Sequence, residues 1–167
     1  LEALAEAKGL AFGLGAGLGA SVTSAIVGGT QAARSGANVK IGGVAGAAAS
    51  RVSAIVVETR STNVADAQSF GVAGGIFVGT SVNSAYARVN PTLVAEVAAG
   101  ALIYTDSLAV RATEDQGLVT SKSKGITIAG AGAVGFSQAT SEMGTITRAS
   151  VGGGTRALVQ SVTKLPV

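Results

Sequence analysis

From Leu10 to Ile26 the side chains sort by twos. Even positions read Leu10, Phe12, Leu14, Ala16, Leu18, Ala20, Val22, Ser24, Ile26. Odd positions read Ala11, Gly13, Gly15, Gly17, Gly19, Ser21, Thr23, Ala25, Val27. Successive side chains of a strand point to opposite faces, so this pattern describes a strand with one bulky face and one nearly bare. The pattern returns at Phe70, Val72, Gly74, Ile76, Val78, Thr80, Val82, and again at Ile126, Ile128, Gly130, Gly132, Val134, Phe136. In all three stretches the bulkier face has the same phase.

The recurrence is part of an internal repeat. SVTSA at Ser21–Ala25 returns as SVNSA at Ser81–Ala85, an offset of 60 residues. Leu4, Leu10 and Val22 then fall on Val64, Phe70 and Val82. A third copy follows at 54 to 56, with Gly79–Ser81 on Gly135–Ser137. A second block places Gly46, Ser53 and Val56 on Gly100, Ser107 and Val110 at an offset of 54, and Gly100 on Gly154. The chain therefore reads as one repeat array of three units of 54 to 60 residues, with approximate bounds 1–57, 58–113 and 114–167. It starts at Leu1 without a Met or a signal-like segment, and is expected to be a piece of a longer protein.

Further strand-like runs are Val39–Val44, Leu93–Val97, Thr145–Val151, Val52–Thr59, Leu102–Ala112 and Leu158–Val162. Turn-like clusters separate them at Gly28-Gly29, Gly36–Asn38, Asn90-Pro91 and Gly152–Gly154. Pro91 is expected at a turn or strand start. Leu1–Lys8 has helix-forming composition suited to a cap, but overlays the strand-like Val64–Gln68.

Composition narrows the chemistry. The 167 residues include 25 Gly and 32 Ala but no Cys, His or Trp, which excludes disulfides, zinc sites built on Cys or His, and a Ser–His–Asp triad. With 47% hydrophobic and only 13% charged residues, the chain is the opposite of a disordered one. The net charge of +3 comes from scattered basic residues, with Lys122 and Lys124 the nearest thing to a cluster, so no nucleic-acid stripe exists. No calcium-loop pattern and no phosphate-binding P-loop pattern occurs.

These features predict an all-β fold, a parallel β-solenoid with Gly/Ala-rich alternating strands. Equivalent residues would stack about 4.8 Å apart, like on like. Apolar ladders are expected on the inside. The Gly/Ala face serves either as a seam between opposite walls or as a contact with a neighbouring fibre. Open sheet edges would remain as templates for another chain.

The segments VVETRSTNVADAQSFGVAGGIFVGTSVNSAYA, from Val56, and LAVRATEDQGLVTSKSKGITIAGAGAVGFSQAT, from Leu108, resemble repeats of large bacterial filamentous surface adhesins, of the leukotoxin and haemagglutinin-like types. The resemblance covers residues 50–167 well and 1–49 loosely. It implies a secreted, fibrous, non-catalytic β-rich scaffold at the cell surface.

Two other readings compete. Leu10, Leu14, Leu18, Val22 and Ile26 are also spaced by four, and residues 9–33 carry no charge, as in a Gly-rich membrane helix of the kind found in proteolipid rings. Each Gly costs a helix about 1 kcal/mol, which disfavours that alternative. Gly130, Gly132 and Gly135 match the G-x-G-x-x-G dinucleotide fingerprint after the strand-like ITIA, the mark of a nucleotide-binding enzyme. No acidic residue lies near position 150 to hold a ribose, and the segment is one of three copies. Glu114-Asp115 read as a solvated turn, and Tyr86 and Tyr104 as surface or edge residues.

The expectation is thus a non-catalytic structural segment of an extracellular bacterial filament or giant adhesin. It has no catalytic, metal or cofactor site and no membrane span. Its partners would be identical chains, end to end or laterally, or the continuation of the same giant chain.

Overall fold

A computed structural model describes residues 1–43 and 52–163, with the backbone alone at 157–163. The regular elements among the described residues are all strands: β1 (Glu2–Gly13), β2 (Ala16–Arg34), β3 (Lys40–Ile41), β4 (Ile55–Gly75), β5 (Val78–Val97), β6 (Leu102–Ala129), β7 (Gly132–Met143), β8 (Ile146–Val151) and β9 (Arg156–Thr163). The membrane-helix alternative at Leu10–Ile26 is thereby overturned. So is a helical Leu1–Lys8, because β1 pairs along its whole length with Val64–Gly75 of β4.

The strands form two sheets. One has the order β1-β4-β6-β3, with β9 also on β6; the other has β2-β5-β7, with β8 also on β5. The pairings β1–β4, β3–β6, β5–β7, β5–β8 and β6–β9 are parallel. Apart from the successive strands β3 and β4, and β7 and β8, the backbone passes from one sheet to the other in chain order, because parallel neighbours need a crossover.

Register differs from sequence similarity by two residues. Glu2 lies opposite Val64, an offset of 62, where similarity suggests 60. Val78 lies opposite Gly132, an offset of 54, where the Gly-Ser match suggests 56. A slip of two leaves every side chain on its face, so the alternation survives while the partners change. From Ser53 onward the offset is 54, as expected, and the Ser107 hydroxyl donates to the Ser53 carbonyl at 3.3 Å. Lys40 opposite Leu102 still has 62, so eight extra residues lie between Ile41 and Ser53.

Each Gly-rich stretch contains a two-residue corner, at 14–15, 76–77 and 130–131, where one unbroken strand was expected. The corner takes up two residues, so the even phase runs on unaltered into the other sheet. A Cβ on Gly13 would run into the Ala16 carbonyl, and one on Gly75 into that of Val78. A second set of turns shares a left-handed residue: Asn38 (φ 55°), Gly100 (φ 74°) and Gly154 (φ 73°). Gly and Asn tolerate that conformation best. The expected stacking of Gly100 with Gly154 holds. Its other neighbour is Asn38, whose side chain occupies the space a Gly100 Cβ would need. Gly46 and the end of the Val39–Val44 run lie outside the described residues.

Pro91 sits inside β5, not at a strand start. The neighbouring strand breaks there: β7 ends opposite Val89 and β8 begins opposite Thr92. The missing proline N–H therefore costs no ladder bond.

Backbone proximity divides the chain into two compact units, each drawing one segment from every repeat. The first comprises Leu1–Gly28, Asn63–Val89 and Gly117–Gly144. Its interior is the bare face. Ala25, Ala65, Ala67, Ala73, Ala85, Ala87, Ser21, Ser69, Ser81, Asn63 and Asn83 are buried. The two walls meet through backbone: a Cβ on Gly17 would overlap the Gly74 carbonyl, and one on Gly9 would come within 2.6 Å of the Ala20 oxygen. The Ser69 hydroxyl donates to the Ser21 carbonyl at 2.8 Å, and Ser21 donates to the Ala7 carbonyl at 3.1 Å. Of the two roles open to the Gly/Ala face, the seam between walls is the one adopted. The bulky face lies outside, against expectation: Phe12 is 72% exposed, Leu14 86% and Leu18 74%. Walls that touch through main chain leave no volume for Leu or Phe between them.

Asn83 is the largest side chain within this seam that lacks a hydrogen-bond partner. It fits because Gly71 and Gly125 stand opposite; a Cβ on Gly125 would lie 2.5 Å from its Nδ2, and one on Gly71 would overlap its Oδ1. Gly71→Ala is expected to destabilise by about 1–3 kcal/mol through overpacking. Asn83→Ser in the same chain should recover most of the loss, since Ser137 already holds the neighbouring place. Denaturant midpoints of the two variants check this.

The second unit comprises Gly29–Thr62, Asn90–Gln116 and Thr145–Val167. Its core is conventional: Leu93, Val97, Ile103, Leu108 and Val110 are buried together with Ala95, Ala101 and Ala112. The buried Thr59 hydroxyl is satisfied by backbone: it donates to the Val94 carbonyl at 2.7 Å and accepts from the Ala33 N–H at 3.0 Å.

Candidate functional site

The features able to engage a partner lie on the first unit's edges and outer faces. β1 pairs with β4 alone, and β2 and β7 each pair with β5 alone, so each of the three keeps one lateral edge open among the described residues. Such edges present a row of free N–H and C=O groups to another strand. At 12, 19 and 12 residues they are long.

The outer faces are apolar near the corners. Leu10, Phe12, Ile126 and Ile128 lie on one face; Leu18, Val22, Val78, Val82, Val134 and Phe136 lie on the other, all exposed. Phe12, Leu14, Gly74, Gly75, Ile76 and Ile128 line a shallow groove at the corner. Clustered exposed apolar side chains of this kind are a feature of protein interaction surfaces.

Charges flank the apolar zone. Lys8 pairs with Glu6 at 2.7 Å, and the hydrogen bond and charge of Glu6 raise the lysine above its ordinary pKa. These two share a groove with Gln68, Phe70, Lys122 and Lys124. On the other sheet the Tyr86 hydroxyl donates to Glu142 Oε2 at 2.7 Å, and Arg88 lies 3.6 Å from the same oxygen. The hydrogen bond to Glu142 raises the Tyr86 phenol above its usual value of 10.0. Glu142→Gln is therefore expected to lower the midpoint of the phenolate absorbance titration.

The remaining sequence candidates are placed as follows. Gly130 stands at a corner, and Gly132 and Gly135 lie in β7. A strand follows them where the dinucleotide fingerprint requires a helix N-terminus, so the pyrophosphate cradle is not formed. Glu114 and Asp115 lie within the 28-residue β6, not in a turn. β9 reaches only Leu102–Ala109 of β6 and β3 only Leu102–Ile103, so beyond Ala109 β6 keeps its β4 neighbour and an open far side among the described residues. Tyr86 is half-buried. Among the described residues no group of three His, Cys, Asp or Glu could hold a metal ion. No helix among them is long and apolar enough to cross a membrane.

The corners and the outward bulky face were not seen in the sequence. Their one signal is the clustering of glycine on the odd face at Gly13, Gly15 and Gly17, where a chain must bend and its walls must touch. No protein-family model, curated protein or solved structure gives a match to this chain.

Proposed function

We propose that this chain is a non-catalytic structural segment of an extracellular bacterial filament or giant adhesin, a parallel β-solenoid that forms a stiff rod. The observation that carries the reading is the recurrence of equivalent corners and turns with the same hydrogen-bond pattern. Phe77 and Val78 donate N–H bonds to the Gly15 carbonyl; Ala131 and Gly132 repeat the pattern onto the Phe77 carbonyl. Asn38, Gly100 and Gly154 repeat the left-handed turn. A chain that passes repeatedly between two sheets and extends both in parallel with each repeat supports the solenoid reading.

In such a rod the work is mechanical. Backbone ladders run along the axis, and small side chains hold the walls close. The resemblance of residues 50–167 to filamentous adhesin repeats supports the cell-surface setting. Far-UV circular dichroism and negative-stain imaging of the purified chain test the proposal together. A β spectrum with elongated particles is expected. A helical minimum near 222 nm, or globular particles, would contradict it.

A further inference from the structure

We propose that the first unit binds a second copy of this chain edge to edge, in one register, with β1 and β2 of the incoming copy laid on β6 and β7 of the copy already in place. The inference rests on the rod reading above and adds the surface, the register and the residues that select it.

The register follows from the corners. The Gly15 carbonyl accepts from Phe77 and Val78, and the Phe77 carbonyl accepts from Ala131 and Gly132. Ala131 is the third member of this series. Its carbonyl is thus placed to accept from Gly15 and Ala16 of an incoming copy. That contact sets β1 of the newcomer parallel to β6, and β2 parallel to β7, with no shift in phase.

Charge favours the same alignment. Glu6 lies opposite Gln68 of β4, and Lys122 lines the same groove from β6. Continuing the row by one strand seats Glu6 of the newcomer beside Lys122. Lys8 of the newcomer comes beside Lys124, a like-charge neighbour, but the Glu6 carboxylate stands between the three ammonium groups. Leu10 and Phe12 of the newcomer extend the apolar rows of Ile126 and Ile128. A slip of two residues would set Lys8 on Ile126 and break the corner contacts.

The edge offers an independent test. Leu1 C=O accepts from Val64 N–H, so odd residues of β1 bond to β4 and even ones point their N–H to the open side. Leu10→Pro therefore removes no bond within the chain but blocks the docking ladder.

Mass against concentration, by sedimentation of the 167-residue chain, reads the outcome, with circular dichroism as the check on folding. The wild-type chain should grow into oligomers. Leu10→Pro should remain a folded monomer. Glu6→Lys and Lys122→Glu should each raise the concentration needed for assembly about tenfold, as an attractive cross-strand pair becomes repulsive. The double variant E6K/K122E should assemble like the wild type. A wild-type chain that stays a folded, elongated β monomer at all concentrations would overturn the docking but leave the rod intact. Assembly unaffected by Leu10→Pro and by both charge reversals would overturn it in favour of contacts through the apolar faces. A helical spectrum would instead overturn the rod reading itself.

Discussion

Gly17→Ala is expected to be among the most damaging single substitutions in the chain, at about 3 kcal/mol, the upper part of the overpacking range. The added methyl would overlap the Gly74 carbonyl oxygen and crowd the Gly74 carbon and nitrogen. All three are main-chain atoms, so no rotamer change relieves the overlap. The walls themselves must separate, and that loosens Gly9 against Ala20 and Gly19 against Val72. Gly15→Ala supplies the control: nothing lies within 4 Å of its added Cβ, and it should leave the denaturation midpoint almost unchanged. Equal effects at the two positions would mean that glycine matters here for chain entropy, not for wall contact.

Leu93→Ala is expected to cost about 2–5 kcal/mol, as for leucines in well-packed cores. Leu93 is fully buried in the second unit among Ala95, Val97, Ile103 and Leu108. Leu18→Ala should cost no more than about 0.5 kcal/mol, the usual limit for a surface site. Leu18 is as apolar as Leu93 but 74% exposed, so truncation removes little buried area. The comparison separates the units: one is held by apolar burial, the other by ladders and small-residue contact. Thermal or denaturant unfolding of both variants measures it. Comparable losses would show that Leu18 is buried in the folded chain.

The all-β class and the phase of the three Gly-rich stretches were legible because a period of two needs no tertiary information, and the parallel sheets because that phase recurs along the chain. The seam was legible only as one of two options, since a glycine face suits any close approach of backbone. The direction of the bulky face was misjudged for a physical reason. Hydrophobicity argues for burial of Leu10, Phe12 and Leu18, but glycine and alanine on the opposite face bring the walls too close to accommodate them. Partner choice was misjudged by two residues, because Ser21–Ala25 and Ser81–Ala85 resemble each other at 60, whereas the corner at 14–15 sits 62 residues before that at 76–77. Even-numbered slips are invisible to a pattern of period two. Glu6 and Lys122 could not be placed in one groove until the register was known.

The absence of native cysteine allows the sorting of faces to be read directly. Single cysteines placed from Leu18 to Ala25 in β2, in dilute folded protein, can be timed against a water-soluble thiol reagent. Leu18, Ala20, Val22 and Ser24 should react quickly, and Gly19, Ser21, Thr23 and Ala25 slowly, in strict alternation. Protection of the even positions instead, or protection recurring every third or fourth residue, would contradict a bare-faced seam between two parallel sheets.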